Sequence, residues 1–507
     1  MRCLDKKRRA LLFGGALVAV ILFCVLALPR LLAGTAVPGA PSETLLAAAE
    51  GLDQIVIEAV LDPEAAAISV WQRLTLTNRA GESRDAAVLR TWPNAFQSPE
   101  TSPCASEELY DACYPDGFSS GSLVMDEALV ARQGAEGVGV DYRYTDEAKT
   151  VLLVPVAGGW RPGETIELTL RYTVNVPRAA YRFGVRDHIW ALGNCFATPA
   201  VWEDGAYRTD AYTAVGDPFI SDCANYTVSV SVPRGYLCAG SGCPEEETVQ
   251  GRAVYRFAAP AVRDFALVIS NRFKVAQTMR NGVLVSAYAT GRSRAREMLG
   301  YAGRALECYT ERYGEYPYQS LTLAEIEFPM GGMEYPAMAM IGASQLDAGG
   351  RTLEYVMAHE VAHQWWYAVV GSDGVNQSWQ DEALCEFSLL DYVETVYGRA
   401  QRDELQRTRV ESAMRVTVPR GITPGAPLTY FSSMSEYSLV VYNRGAAMLC
   451  ALDQAMGGTL DDFLRAYYGR YAFSRASRRD FENLLAQHTG GDYGPLIVDY
   501  LDTSILN

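Results

Sequence analysis

Val356–Trp366 reads VMAHEVAHQWW and holds two of the four histidines in a chain of 507 residues, His359 and His363, with Glu360 between them. On a helix, residues four apart are separated by about 400°, so the two imidazoles leave one face a turn apart and can share a metal ion. Glu360 lies about 100° around from His359, within reach of a water on that metal without being a ligand. The competing reading is a core or surface helix that carries two chance histidines. A catalytic zinc takes three protein ligands and keeps a position for water, which sends the search to the next helix. There Glu382 stands in WQDEAL, nineteen residues beyond His363. Asp381 and Glu386 compete on position alone. They read as flanking or solvated groups, because Asp381 points to another helix face and Glu386 lies a turn further on.

Working outward, the spacing predicts a helix around Leu353 to Val370 for the motif and a second from about Ser378 to Tyr397, with Ser378 as cap and Gly398 as stop. Upstream, SRAREMLGYAGRALECYTERYG has helical periodicity up to Gly314, and SLTLAEIEF and YPAMAMIG read as strands joined by PMGGME. Further helices are expected at Ser438–Met456, Asp461–Tyr468 and Arg479–His488. Residues 52–275 have a different texture. QIVIEAVLD, SVWQRLTLTN, TIELTLRYTVNV and YTVSVSVPRG alternate apolar and polar residues and are rich in Val, Ile, Thr and Tyr. The fold class is therefore multidomain, β then α+β: an N-terminal antiparallel β saddle or sandwich at 52–275, then a catalytic domain at 276–507 in which helical periods take over. His188 stands alone in the β half and reads as structural.

The net charge of −16 argues against nucleic acid and anionic lipid as partners. Behind the basic cluster of MRCLDKKRRA, Ala10–Leu28 is a run of nineteen apolar residues, enough to span a bilayer. Residues 1–34 are thus expected to form a cytoplasmic stub and an uncleaved signal anchor that places the rest outside, or a segment whose cleavage would leave a secreted protein. Residues 35–51 read as a tether. Of eleven cysteines, Cys104 with Cys113 and Cys238 with Cys243 are close enough in sequence to close as disulfides in an oxidising compartment. Cys195 and Cys223 are a third candidate pair, and Cys308, Cys385 and Cys450 read as buried thiols.

HEVAH, followed after eighteen residues by Glu382 and preceded by GGMEY at Gly331–Tyr335, resembles the M1 family of zinc metallopeptidases, the aminopeptidase N and leukotriene A4 hydrolase group. VRDFALVIS and GDPFISDCANYTVSVSVP are similar to segments of that family's N-terminal saddle. The resemblance implies a thermolysin-like catalytic domain with one zinc per chain, held by His359, His363 and Glu382, and Glu360 as general base. YSLVVYNRG, Tyr437 to Gly445, resembles the segment whose second tyrosine, here Tyr442, stabilises the oxyanion. Glu334 corresponds to the glutamate that binds the substrate α-amine. Gly331, Gly332 and Met333 would shape the edge strand that pairs with the peptide, and Tyr335 and Tyr437 fall on the same substrate-binding segments.

Two departures bear on function. Tyr335 stands where the family usually has Asn, which puts the shape of the N-terminal pocket in question. The chain also ends 65 residues after Tyr442, about where the family's catalytic domain ends, so its large helical C-terminal domain is expected to be absent and the cleft open or covered by another protein. The expected function is a membrane-anchored, outward-facing zinc aminopeptidase acting on peptides with a free N-terminus. An endopeptidase or dipeptidase of the same chemistry, and a non-catalytic membrane-associated binding module, are the alternatives.

Overall fold

The computed structural model describes residues 39–104, 109–132 and 134–503. The basic stub and the apolar run Ala10–Leu28 lie outside them, and among the described residues no helix is long and apolar enough to cross a membrane. The stretch expected to be a tether is partly folded: Glu43–Ala49 is a helix whose N-cap, Ser42, accepts from Leu45 N, and Leu45 is buried. An apolar residue committed to a core holds this segment down.

The N-terminal half is built of β-strands. Its largest sheet has eight, in the order 245–249, 252–262, 224–232, 54–62, 67–77, 165–175, 122–132 and 138–139. Along Gln54–Asp62 the alternate residues Ile55, Ile57, Ala59 and Leu61 are buried, as the period of two requires. The expected antiparallel order fails at one place, where Gln54–Asp62 pairs in parallel with Ala224–Val232. Parallel neighbours need a long crossover, and the intervening chain supplies it. Two four-stranded sheets and a two-stranded one complete this half among the described residues. His188 sits exposed in a turn at φ 63°. The nine described cysteines are free thiols, Cys104 and Cys113 both buried.

The catalytic half opens with strands, where helical periods were expected: β1 (Lys274–Arg280) and β2 (Val283–Ala289). All seven residues of β2 are buried, so its sequence lacks the alternation that marks a half-exposed strand. Helix α1 (Arg292–Tyr313) follows, then β3 (Ser320–Ile326), β4 (Gly332–Tyr335) and β5 (Met338–Gly342). The sheet order is β1-β2-β3-β5-β4. Thus Gly332 to Glu334, read by periodicity as part of the connection between two strands, form with Tyr335 the edge strand that the resemblance implied, antiparallel to β5.

Helix α2 (Gly350–Ala362) carries the histidine motif and ends with His363 as C-cap, seven residues before the expected Val370. Beyond it Trp365 and Trp366 are fully buried, their indole N–H groups donating to Gly314 O and Ser388 Oγ. Buried indoles that must find acceptors draw the chain out of the helix. Helix α3 (Trp379–Tyr397) is buried at every position from Trp379 to Val393, and although Ser378 is its N-cap, the side chain makes no cap bond. The expected single helix at 438–456 is instead α5 (Met434–Tyr437), a π-helical segment (Ser438–Arg444) and α6 (Gly445–Ala455). Between α3 and α5 lie α4 (Arg399–Leu405) and a second π-helical segment (Gln406–Glu411).

Candidate active site

Helices α2 and α3 pack together and bring three donors to one point. His359 Nε2 is 3.3 Å and His363 Nε2 3.5 Å from Glu382 Oε2, all three residues buried. The three donor atoms lie within 4.8 Å of one another. Two imidazoles and one carboxylate are the ligand set of a catalytic zinc with a position left for water, so the residues present fit that metal. A second carboxylate backs each ring: Asp381 Oδ1 lies 2.5 Å from His363 Nδ1, and Glu386 Oε2 3.5 Å from His359 Nδ1. The hydrogen bond at His363 fixes that ring's orientation and tautomer and raises its basicity as a ligand, while the contact at His359 is an ion-pair distance and not a hydrogen bond. Asp381 and Glu386 are therefore not solvated groups; both are buried within the site. Arg409, on the π-helical segment after α4, pairs with Glu386 at 2.5 Å. Burial pushes the Glu386 carboxyl up, but Arg409 and His359 outweigh it and hold it below the usual range.

Glu360 is buried, and its Oε2 has no hydrogen-bond partner. Burial raises its pKa to about 7, the neighbouring histidines pulling the other way. An unpaired carboxylate with an affinity for protons near neutrality is suited to a general base. Gly332 makes room for it, because a Cβ there would stand 2.5 Å from Glu360 Cδ. The motif on α2 and the glycine on β4 thus belong to one constellation.

Tyr442 lies in the π-helical segment, a geometry often found at functional sites. Its ring stacks on His359, centroids 5.4 Å apart and planes at 9°, and its hydroxyl is among the groups that hold the Glu382 carboxyl below its usual range against burial. Tyr437, expected to bind substrate, is 1% exposed and stands edge-on to Tyr442 at 5.5 Å. It backs the Tyr442 ring.

Glu334 projects from β4 with Oε2 3.9 Å from His363 Nε2. It lines a pocket with Asp217, Phe219, Met333, Tyr367 and Asp381. Burial pushes its carboxyl well up; His363 opposes, and Asp217, Asp381 and Glu382 add to the rise. A cationic group entering this pocket meets the carboxylates of Glu334, Asp217 and Asp381, with Arg263 also in the lining. Tyr335 ends the strand with its ring buried and its hydroxyl donating to Asn194 Oδ1, 2.9 Å away. Tyr335 thus both lines the pocket and anchors the strand to the N-terminal half.

Asp217 comes from that half, in GDPF, and is ion-paired to the buried Arg182. No spacing relative to the histidine motif points to it. Gln364, directly after His363, was passed over too: its amide donates to Tyr335 O at 3.0 Å and accepts from Ala337 N at 2.8 Å.

Residues 298–500 match the peptidase family M1 domain. The chain is similar to leukotriene A-4 hydrolase of Xenopus laevis, 28% identical over 200 residues, which cover 37% of this chain and 31% of that protein. It is also similar to aminopeptidase N of Lactobacillus helveticus, 28% identical over 247 residues, covering 44% and 28%. The matches thus span about a third of these relatives' length. In fold it resembles an M1 zinc metallopeptidase from Deinococcus radiodurans, with a TM-score of 0.62 at 17% identity over 90% of this chain and 95% of that one. With its paired histidines and glutamate inside the matched region, this chain carries a peptidase family M1 domain.

Proposed function

We propose that the protein is a zinc-dependent aminopeptidase that removes the first residue from peptides with a free α-amine. The observation that carries this reading is Glu334, a buried carboxylate 3.9 Å from a metal-ligand nitrogen of His363. An amine held there puts the first peptide bond, and no later one, at the metal site. A solved relative of the same fold, an M1 zinc metallopeptidase from Deinococcus radiodurans, is described as bound to a Tyr-Ser-Ala substrate.

His359, His363 and Glu382 would hold the zinc, which when bound acidifies water and polarises the scissile carbonyl. Glu360 takes the proton of the attacking water at its unpaired carboxylate and passes it to the departing amine. Tyr442 donates its hydroxyl to the oxygen on which negative charge develops. Glu334 holds the ammonium of the first residue by a charge-assisted hydrogen bond worth about 1.5–3 kcal/mol, roughly ten- to hundred-fold in kcat/KM. The half-buried Gly331 and Gly332, at the edge strand β4, leave its outer side open to an extended peptide.

The test compares kcat/KM for one peptide with a free and an acetylated amine, in the parent and in Glu334→Ala. The free peptide should be preferred at least about tenfold in the parent and not in the variant. Equal rates on both peptides in the parent would reject aminopeptidase specificity. The nineteen-residue apolar run behind a basic cluster supports a membrane-anchored enzyme with its catalytic domain outside. Full-length protein recovered from washed membranes checks this; full-length protein in the soluble fraction opposes it.

A further inference from the structure

Glu334 sits on a short strand with one neighbour. Strand β4 has four residues, pairs only with β5, and forms the edge of its sheet. So short an edge needs external fixing if an extended peptide is to add to it in a single register, because a slip of one residue reverses every side chain. Two fixings are present, both at Tyr335. On one side the Gln364 amide grips Tyr335 O and Ala337 N and ties the hairpin to the helix of the metal ligands. On the other, the buried Tyr335 hydroxyl donates to Asn194 Oδ1, and Asn194 Nδ2 donates to Asp264, whose Oδ1 accepts from Phe265 N at 2.7 Å.

The N-terminal half is shaped for this contact. A Cβ at Gly193 would lie 1.9 Å from the Tyr335 hydroxyl oxygen, so only glycine fits there. Asn194 is held at φ 53°, a left-handed conformation that Asn tolerates better than most residues. Successive strand residues face opposite ways, so Glu334 and Tyr335 divide the work: one meets the pocket and the other grips the neighbouring domain.

We propose that Tyr335 is a positioning residue for amine selection, its hydroxyl bond to Asn194 holding β4 so that Glu334 stays at a set distance from the metal site. This rests on the aminopeptidase reading above. Without the bond the strand gains freedom, Glu334 no longer meets the ammonium in one geometry, and peptides lacking a free amine compete better. The bond acts on binding of the first residue, so its loss belongs in KM.

The test uses the full chain with zinc bound. Tyr335→Phe is nearly isosteric, and Asn194→Gly removes the same bond from the other side while tolerating the positive φ. Each variant, the double variant and the parent are assayed on one peptide with free and acetylated amine. Either single variant should lower the free-to-acetylated kcat/KM ratio roughly five- to tenfold, the size of one lost hydrogen bond, through KM of the free peptide with kcat within about twofold. The double variant should lose no more than the larger single loss, because the two residues act as one pair. If Tyr335→Phe cannot be recovered folded, Asn194→Gly decides. A ratio unchanged from a discriminating parent, with both peptides slowed alike, would overturn the proposal and leave Tyr335 a structural residue. Additive losses would overturn it too. A parent that does not discriminate would defeat the aminopeptidase reading itself, and this proposal with it.

Discussion

Glu360 and Tyr442 show how much of this site depends on single contacts. The base carboxylate leans on the bare α-carbon of Gly332, and Tyr442 is steadied by His359 beneath and Tyr437 at its edge. In Gly332→Ala the added methyl has no room unless Glu360 shifts. The side chain can yield at little cost in stability, but the base moves. Tyr442→Phe removes the hydroxyl that would meet the oxyanion and leaves the ring stacked on His359. Both variants should keep fold and zinc, with Tyr442→Phe losing roughly 10²–10³ in kcat and Gly332→Ala at least about tenfold, since small misplacements of a catalytic group are costly. Steady-state kinetics beside metal analysis checks both; full activity in either would remove that residue from its role. His359, Glu360 and His363 were legible because they lie on one helix, where spacing alone sets direction. Asp381 and Glu386 were visible as carboxylates flanking Glu382, but which histidine each would back depends on how two helices meet.

At the scale of elements, alternation marked the half-exposed strands, and turn and cap signals marked the buried β3, β5 and α3, but β2 had neither. Gln54–Asp62 and Thr165–Asn175 alternate and were recognised as strands. Strand β2, buried at every position, was not. Helix α2 was recognised but carried too far, because the apolar run continues through Trp365 and Trp366 while the backbone turns away to place their indoles. The π-helical segments at Gln406–Glu411 and Ser438–Arg444 have no sequence signature of their own. Yet they carry Arg409, which pairs with Glu386, and Tyr442. One extra residue in a helical turn rotates everything beyond it, and here that rotation serves the metal site.

At the scale of the whole molecule, the two halves are joined by polar groups that must be satisfied in burial. Arg263 donates to the carbonyls of Ser221, Tyr367, Val369 and Ser474, and a Cβ at Gly371 would strike its guanidinium. Beside it Asp264 is buried, and burial raises its pKa to about 7 from an ordinary 3.8, the hydrogen bond from Phe265 N opposing. The folded state therefore keeps a proton that the unfolded chain gives up near pH 4. The stabilisation is complete below that pH and is lost progressively as pH rises toward about 7. Urea midpoints of the zinc-loaded parent and Asp264→Asn at pH 5 and pH 8 check this. The variant, which has no proton to lose, should fare better relative to the parent at pH 8 than at pH 5. The same difference at both values would count against it.

What the sequence determined by itself was the chemistry of the metal site and the character of each half, because ligand spacing on a helix and strand alternation are local properties carried in neighbouring residues. The tertiary structure alone decided where α2 stops, which carboxylate backs which imidazole, that Asp217 of the β half joins the pocket of Glu334, and that Tyr335 reaches Asn194. Those pairings join residues from 18 to 141 positions apart along the chain. The packing of separately formed surfaces determines them, and no short-range period records it.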